Sequence, residues 1–298
     1  MWRGVKDGRV RWQSQGGGMG FSAIAAGHVA VITGGASGIG LAAALRFASQ
    51  GLRVAIADLG EDRLARAAGQ IAAAGPAEVW AAEVDVSDAA ALAVLAAGVA
   101  ARWGGADVVM LNAGIGPDSA VTGPAEVWQR ILAVNLWGVI NGAQAFLPGM
   151  LERGREGLII CTGSKQGITT PPGNPAYNVS KAGVKVFAEA LEHDLRGRSA
   201  ARISAHLLIP GFVFTGLTEG DRREKPAAAW TPGQTVDFML SSLERGDFYI
   251  LCPDNDVPRA LDEKRILWAA GDIVENRPPL SRWHKDHAQA FKDMLAQG

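Results

Sequence analysis

The chain has 298 residues, of which 48% are apolar and 20% are charged, and its formal net charge is −1. This balance fits a protein with a substantial core and argues against nucleic acid or an anionic membrane surface as the main partner. No apolar run approaches the ~20 residues that cross a bilayer, and no signal peptide is recognised. Cys161 and Cys252 offer no disulfide framework, so we expect a reducing, cytoplasmic setting.

The N-terminal residues differ from the rest of the chain. Residues 1–26 include a polar, basic and glycine-rich stretch, and we expect them to form a flexible extension. From His28 onward the pattern becomes regular, and no internal break divides it. Residues 27–298 are therefore interpreted as one domain.

Strands and helices alternate along this domain. Short apolar runs suited to buried strands occupy residues 28–33, 53–58, 77–86, 107–114, 157–164 and 202–211. Helices are predicted between them at residues 41–51, 61–75, from Ser87 or Asp88 onward, 124–151 and 174–196. The alternation predicts right-handed βαβ units in a Rossmann fold, which is a doubly wound parallel α/β sheet of about seven strands flanked by helices.

After Gly211 the regular pattern weakens. Residues 212–233 mix aromatic, charged and proline residues without a clean period, which is typical of a mobile lid or a substrate loop. A helix at 235–246, a short strand at 247–253 and a helix at 261–275 follow, and residues 256–298 are expected to form a helical extension. His284 and His287 flank Asp286 in the tail, but without further ligands no metal site is predicted.

The turn after the first strand is rich in glycine. Glycines let the backbone approach a pyrophosphate, and the N-terminus of the following helix favours negative charge. A buried strand precedes this turn and a helix follows it, as a dinucleotide-binding turn requires. The predicted cofactor contacts in the turn are Gly34, Ser37, Gly38, Ile39 and Gly40.

An acid, Asp58, ends the second predicted strand. A carboxylate at this point accepts hydrogen bonds from ribose hydroxyls and repels a 2′-phosphate. No Arg or Lys lies within the glycine turn or directly after Asp58 to neutralise such a phosphate. NAD is therefore expected in preference to NADP.

Tyr177 and Lys181 lie four residues apart, so a helix presents both side chains on one face. A free phenol has a pKa near ~10 and exchanges protons poorly at neutral pH. An ammonium ion ~4 Å away favours the phenolate, by roughly 4 kcal/mol at an effective dielectric of about 20. Lys181 is therefore expected to lower the pKa of Tyr177. Because this spacing is also common on solvated helix faces, the interpretation depends on the rest of the chain.

Together these features resemble the short-chain dehydrogenase/reductase family over roughly residues 28–215. The segment TGGASGIG is similar to the family's TGxxxGIG cofactor turn, Asn112-Ala113-Gly114 to its NAG motif, and Asp85-Val86 to the pair beside the adenine. Pro210-Gly211 and Thr215 resemble its PG and T segment on the nicotinamide side. The further cofactor contacts that the resemblance implies are Asp58, Asp85, Val86, Asn112, Ala113, Gly114, Tyr177, Lys181, Pro210, Gly211, Val213 and Thr215.

The same resemblance implies a catalytic set. Ser164, Tyr177 and Lys181 match the family's Ser and Tyr-x-x-x-Lys residues, and Asn135 falls where the family keeps a structural and catalytic Asn. Tyr177 is then the general acid or base, and Lys181 lowers its pKa and binds the nicotinamide ribose. Ser164 orients the substrate oxygen, and Asn135 holds a water that links Lys181 to solvent.

The C-terminus departs from the family pattern. Many members end in a glycine-rich VDGG-type strand, whereas this chain has FYILCPDND and a longer helical extension. Because that end often shapes the assembly and the pocket in the family, a homodimer or homotetramer is expected without a choice between them. Phe212, Phe214, Trp230 and Trp268 could line an apolar substrate pocket or belong to the core.

The leading hypothesis is an NAD-dependent oxidoreductase of a small to medium, mostly apolar alcohol or ketone. One alternative is a protein that senses or scaffolds NAD(H) without turnover, although such a protein needs no Tyr177 and Lys181 pair. Another alternative is an epimerase or dehydratase of the same family that retains its cofactor. Nucleic acid and membranes are not expected partners.

Overall fold

Seven strands form one parallel sheet in the structure, a computed structural model that describes residues 21–198 and 201–296. The strands are β1 Val29–Thr33, β2 Arg53–Asp58, β3 Val79–Glu83, β4 Val108–Leu111, β5 Gly157–Thr162, β6 Ile203–Ile209 and β7 Tyr249–Leu251. Their order across the sheet is β3-β2-β1-β4-β5-β6-β7. Strands β1 and β5 are buried along their whole length, which explains their unbroken apolar sequences.

Helices connect the strands and cover both faces of the sheet. The helices are α1 Gly38–Ser49, α2 Glu61–Ala74, α3 Ala89–Trp103, α4 Ala125–Leu132, α5 Gly138–Arg153, α6 Gln166–Thr169, α7 Pro175–Gly197, α8 Pro232–Glu244, α9 Arg259–Val274 and α10 Ala288–Ala296. One apolar cluster packs α3, α5 and α7 on the sheet, and a second packs α1, α2 and α8. This arrangement confirms the predicted doubly wound α/β fold. Asp88, rather than Ser87, caps α3.

The strand order reverses between β1 and β4. Strand β1 pairs with β2 on one side and with β4 on the other, and Thr33 lies opposite Leu111 where β1 and β4 end. In doubly wound sheets the connections diverge to opposite faces at such a point and leave a crevice at the carboxyl ends of the strands. The fold therefore places a ligand-binding crevice directly beside the glycine turn that follows β1.

The first described residues correct the predicted N-terminal boundary. Phe21–Ala23 forms a short 3-10 helix, and Ala23 and Ile24 are buried in the cluster that contains α1. His28 Nδ1 also lies 3.0 Å from the carbonyl oxygen of Ala23. Burial of these apolar side chains fixes residues 21–26 to the domain, so the predicted flexible extension does not reach residue 26. Its other part, residues 1–20, lies outside the described residues.

One helical segment is more apolar than the sequence analysis allowed. Ala125–Arg153 comprises α4, a π-helical turn at Ala133–Trp137 and α5, and one window of 18 residues within it has a mean hydropathy of 1.3. By length and composition alone, this segment could cross a membrane. The expectation that no run approaches such a length was therefore wrong for this segment. Val139, Phe146 and Met150 of α5 are buried against the sheet. Packing in the core accounts for part of its apolar content.

The loop at residues 212–233 is anchored at its base. The amide of Trp230 donates to the carbonyl of Phe212, and the amide of Phe214 donates to the carbonyl of Trp230, both at 2.9 Å. The ring of Trp230 packs edge-to-face against Phe238 of α8, with 5.8 Å between ring centroids. Residues 221–224 at its tip are exposed. The two ends of the loop are therefore fixed to the domain by backbone bonds and aromatic packing.

A buried ionic cluster attaches the C-terminal extension to the sheet. The ammonium of Lys165, on the turn after β5, lies 3.2 Å from Asp254 Oδ2 and 2.6 Å from Asp262 Oδ2. The three side chains are 16%, 7% and 6% exposed, so little water screens their charges. Burial raises the pKa of Asp262, which lies in the first turn of α9, whereas the charge of Lys165 lowers it. Lys165 thus compensates two buried carboxylates that come from separate segments of the chain.

Lys165→Met should destabilise the fold by about 3–5 kcal/mol, because it leaves two buried carboxylates without their ammonium partner. Urea unfolding followed by circular dichroism at neutral pH measures the loss. Lys185→Met is the matched control, since Lys185 pairs with Glu189 on a partly exposed face of α7, where a pair contributes under about 1 kcal/mol. Equal free energies of unfolding for the two variants would contradict a stabilising role of the cluster.

Candidate active site

The carboxyl ends of the central strands open onto a cleft with a volume of about 820 Å³. Its lining includes Asp58, at the end of β2, and Tyr177, in the first turn of α7. The other predicted site residues that line the cleft are Gly34, Ser37, Gly38, Ile39, Asp85, Val86, Asn112, Ala113, Gly114, Ser164, Lys181, Pro210, Gly211, Val213 and Thr215. The remaining two, Gly40 and Asn135, lie behind this lining. The fold therefore gathers residues predicted from six separate segments into one site.

The glycine turn is shaped by backbone contacts that side chains would prevent. Gly34 and Gly38 have φ angles of +65° and +53°, which glycine adopts without steric cost. A Cβ at Gly40 would lie 2.1 Å from the carbonyl oxygen of Gly34, so Gly40 allows α1 to pack against the turn. Gly40 was predicted to contact the cofactor. It instead shapes the turn and does not line the cleft. The N-terminus of α1, next to this turn, provides an electropositive end for an anion.

Asp58 connects β2 to the glycine turn and to the start of α2. Its Oδ2 accepts a hydrogen bond from the amide of Ala36 (3.0 Å), and its Oδ1 accepts one from the amide of Leu59 (2.8 Å). Arg63, which also lines the cleft, forms an ion pair with Oδ1 at 2.9 Å. The sequence analysis missed this cation because it considered only residues directly after Asp58. The i, i+5 separation, across the start of α2, is the signal that could have revealed it.

Asn112 ties together the ends of three strands in the middle of the cleft. Its side-chain amide donates to the carbonyls of Thr33 and Gly34, at 3.2 and 3.3 Å. Its Oδ1 accepts a hydrogen bond from the hydroxyl of Thr162 at 3.4 Å. Since Thr33 ends β1 and Thr162 ends β5, Asn112 at the end of β4 fixes the separation of the two flanking strands. The turn after β3 is fixed similarly, because Asp85 accepts two hydrogen bonds from Ser87.

Tyr177 and Lys181 share one face of α7, as their spacing predicted. Asn174 caps this helix by accepting from the amide of Tyr177 at 3.3 Å, and Pro175 begins it. The Lys181 ammonium lies 5.8 Å from the centroid of the Tyr177 ring and donates to the carbonyl of Thr162 at 2.8 Å. Lys181 is only 3% exposed, so this charge is held inside the protein at the sheet edge.

The electrostatics of this pair differ from the prediction. Burial raises the pKa of Tyr177, and a hydrogen bond with the Ser164 side chain lowers it in part. Burial also lowers the pKa of Lys181 to about 8. Lys181 was expected to lower the pKa of Tyr177, but loss of hydration is the largest influence on both groups and it raises the pKa of Tyr177. The group that favours the phenolate is Ser164.

Asn135 supports the site from behind the cleft. Its side chain is fully buried in the π-helical turn, where Oδ1 accepts from the amide of Ile115 (2.8 Å) and Nδ2 donates to the carbonyl of Ile115 (2.9 Å). Nδ2 also lies 3.2 Å from the hydroxyl of Ser180, which donates to the carbonyl of Tyr177 at 2.7 Å. Ser180 was missed from the sequence, although it lies between Tyr177 and Lys181 on the same helix. The pair Asn135 and Ser180 therefore connects the loop after β4 to the turn of α7 that carries Tyr177.

An apolar wall lies beside Tyr177. Ile115, Gly116 and Leu217 line the cleft there, and a Cβ at Gly116 would lie 3.1 Å from Leu217 Cδ1 and 3.7 Å from Tyr177 Cδ2. The sequence suggested aromatic side chains as the wall of an apolar substrate pocket. The described residues that form this wall are aliphatic instead. Trp230 and Trp268 instead pack in the domain interior and against the C-terminal helices.

The lining fits a dinucleotide cofactor. The backbone of the glycine turn lies so close to Gly34 and Ile56 that a Cβ in the turn would collide with them. The N-terminus of α1 offers a site for a pyrophosphate. At the Tyr177 end, a Cβ on Gly114 would lie 3.4 Å from Asn135 Oδ1 and 3.6 Å from Lys181 Nζ. The absence of that Cβ keeps the space in front of Lys181 open. Backbone groups, a carboxylate and a buried ammonium thus line one continuous cleft.

A family model described as short chain dehydrogenase matches residues 28–226. The chain belongs to the short-chain dehydrogenase/reductase family, which confirms the resemblance inferred from the sequence. Members of this family are oxidoreductases that bind nicotinamide cofactors and act on small molecules.

Relatives with known names agree with this assignment. The chain is 34% identical over 262 residues to 1-deoxy-11-beta-hydroxypentalenate dehydrogenase of Streptomyces exfoliatus, which covers 86% of this chain and 94% of the relative. It is also similar to a short-chain dehydrogenase/reductase from Burkholderia phymatum solved in complex with NAD, at 30% identity and a TM-score of 0.76, covering 85% and 96% of the two chains. An alcohol dehydrogenase from Thermococcus sibiricus solved with 5-hydroxy-NADP is 28% identical, with a TM-score of 0.66 and coverage of 73% and 90%. Similar proteins thus bind either form of the cofactor.

The hydrogen bond from Ser164 can be tested by titrating a single tyrosine, since the chain contains only Tyr177 and Tyr249. In a Tyr249→Phe background, Ser164→Ala should raise the pKa of Tyr177 further, because the bond that favours the phenolate is lost. Ultraviolet absorbance of the phenolate across alkaline pH measures this shift.

Ser241→Ala in the same background is the control. The Ser241 hydroxyl donates to the carbonyl of Asp237 on the exposed face of α8. Tyr177 in this variant should therefore titrate as it does in the parent. An unchanged or lowered Tyr177 pKa in the Ser164→Ala variant would contradict the assigned hydrogen bond.

Proposed function

We propose that the protein is an NAD-dependent alcohol dehydrogenase or carbonyl reductase with a small to medium, mostly apolar substrate. The observation that carries this proposal is that Tyr177 and the buried Lys181 share one face of α7, in a cleft that also contains Ser164, the glycine turn and Asp58. When bound, the nicotinamide group accepts or supplies the hydride. The residues of the chain position the substrate and handle the proton.

Tyr177 is the proposed general acid or base. In alcohol oxidation its phenolate takes the hydroxyl proton of the substrate, and in carbonyl reduction its phenol returns that proton. Because burial raises its pKa, the phenol is the favoured form before substrate binds. Ser164 opposes this effect and can also donate a hydrogen bond to the substrate oxygen. The two hydroxyls would hold that oxygen between them.

Lys181 and Asn135 are proposed to assist Tyr177, the first by its charge and the second by its hydrogen bonds. Lys181 keeps a positive charge below its pKa of about 8, and this charge favours a phenolate on the neighbouring Tyr177 once proton transfer begins. Asn135 holds the backbone of Ile115 on one side and reaches Ser180 on the other, and so positions the Tyr177 turn. The predicted water, which Asn135 would hold and which would link Lys181 to solvent, stays part of this proposal.

NAD is the cofactor that Asp58 favours. Its carboxylate is held by two backbone amides at the end of β2, so it cannot easily move away from a 2′-phosphate. Arg63 brings a cation to the same carboxylate, at 2.9 Å from Asp58 Oδ1. Binding of the 2′-phosphate of NADP would need a free guanidinium, whereas that of Arg63 is already paired with Asp58. NAD is therefore the proposed cofactor.

An apolar alcohol or ketone is the proposed substrate class. The aliphatic wall of Ile115 and Leu217 beside Tyr177 supports it, because such a wall offers few polar partners. The Streptomyces exfoliatus relative is named as the dehydrogenase of a hydroxypentalenate, which supports a hydroxyl group as the reacting group. A cytoplasmic homodimer or homotetramer is the setting in which we expect it to act.

Tyr177→Phe should lower the turnover of a secondary alcohol by about 10²–10⁴-fold, because it removes the group that is proposed to exchange the substrate proton. NADH formation followed by absorbance measures turnover, and fluorescence titration should show NADH affinity changed by less than about threefold. Tyr249→Phe is the control and should keep full activity. Retained turnover in Tyr177→Phe would rule out its assigned role. Tight NADH binding by the unaltered protein without turnover of any alcohol or ketone would favour a sensor.

Asp58→Ser should weaken NADH binding by about tenfold to hundredfold, because a charge-assisted hydrogen bond to the ribose is lost. The same variant frees Arg63, so NADPH binding should strengthen. Fluorescence titration with both cofactors measures the change in preference. Asp58→Ser combined with Arg63→Gln is the matched control and should lose the NADPH gain. Stronger binding of NADPH than of NADH by the unaltered protein would overturn the choice of NAD.

A further inference from the structure

A second cavity, of about 360 Å³, lies between the turn after α6 and the C-terminal extension. It is lined by residues near Thr170, by α9 and by residues 279–283, and it shares no lining residue with the active-site cleft. At about 30 Å³ for each water in the liquid, its volume corresponds to roughly a dozen waters. It is therefore large enough for a small organic molecule.

Two guanidinium groups line this cavity without an ionic partner. Neither Arg265 nor Arg282 forms a hydrogen bond or an ion pair with another residue in the described ranges 21–198 and 201–296, and Arg265 Nε is buried without a partner. The Arg282 guanidinium instead stacks on the rings of Trp283 and Phe291, at 4.7 and 5.2 Å. Burial, and secondarily the charge of Arg265, lowers the pKa of Arg282 to about 10. The carboxylate of Asp262 opposes this shift, so it offsets part of the repulsion between the two cations.

The nearby carboxylates are already engaged. Asp272, which lines the cavity, pairs with Arg277 at 2.9 Å and accepts hydrogen bonds from the amide and hydroxyl of Ser281. Asp262 lies one turn before Arg265 and offsets part of its charge, but its own ion pair is with Lys165. An anion that enters the cavity would therefore meet unpaired positive charge.

The rest of the cavity wall is apolar and partly uncovered. Leu280 and Trp283 are each 39% exposed, and Ile273 is 86% exposed, although all three line the cavity. Thr170 and Leu280 also line it, and each holds a positive φ angle, of 41° and 59°. Such backbone is costly for residues other than glycine and occurs where a ligand site is held in a fixed shape. A ligand with an apolar body would cover this surface.

We propose that this cavity binds a small monocarboxylate with an apolar chain, its carboxylate between Arg265 and Arg282. A carboxylate matches two guanidinium groups through charge-assisted hydrogen bonds, which are strongest where water is excluded. The aliphatic and aromatic wall then receives the chain. This site is separate from the proposed catalytic cleft and does not depend on the function proposed there.

Calorimetric titration with octanoate tests the site in the full chain, in the presence of saturating NADH. Octanoate should bind saturably with one ligand for each chain. Octanamide has the same length without the charge, and acetate has the charge without the chain. Both should bind at least tenfold more weakly.

Arg265→Gln and Arg282→Gln should each weaken octanoate binding by at least tenfold. Arg259→Gln on the same helix is the matched control, because Arg259 pairs with Glu263 on the exposed face and should bind octanoate normally. Circular dichroism checks that each variant is folded. If one arginine variant fails to fold, the other gives the same test. Absence of saturable binding, equal binding of octanamide, or unchanged affinity in the folded arginine variants would overturn the proposal.

Discussion

The parallel pairing of β1 with β4 is the constraint on which the whole site depends. It brings Thr33 beside Asn112, so that the Thr33 hydroxyl accepts hydrogen bonds from the amides of Asn112 and Ala113, at 2.9 and 3.2 Å. The side chain of Asn112 returns to the carbonyls of Thr33 and Gly34. Because these bonds join two chain segments almost eighty residues apart, the glycine turn and the segment in front of Lys181 cannot move independently. A cofactor cleft with a fixed shape follows from one strand pairing.

Loss of hydration is the second property that shapes the site. Burial favours the neutral forms of both Tyr177 and Lys181, so each group alone is poorly suited to carry charge. A phenolate and an ammonium together avoid part of this cost, since their attraction is strong where water is excluded. In the proposed mechanism, the proton would therefore stay on Tyr177 until substrate binds. Ser164 favours the phenolate, and Thr162 holds the Lys181 ammonium in place through its carbonyl.

The sequence allowed most of the fold and the cleft to be predicted, because both depend on local patterns. Buried strands are visible in the sequence as apolar runs. The glycine turn and the spacing of Tyr177 and Lys181 are short motifs. Other features depend on which distant residues the fold brings together. The contacts of Asn135 with Ile115 and Ser180 follow from packing that no local pattern encodes. The N-terminal boundary failed for the same reason, since Ile24 is held by tertiary contacts.

The C-terminal extension is joined to the candidate active site by buried ion pairs. The family match ends at residue 226, yet Asp254 and Asp262 lie beyond it and form ion pairs with Lys165, the residue after Ser164. The amide of Lys165 also donates to the carbonyl of Pro210, at 3.2 Å, directly after the neighbouring strand β6. The position of Ser164 therefore depends on helix α9 through one lysine. Because Arg265 lies one turn further along α9, a ligand in the second cavity would bind to the same helix that holds the Ser164 turn.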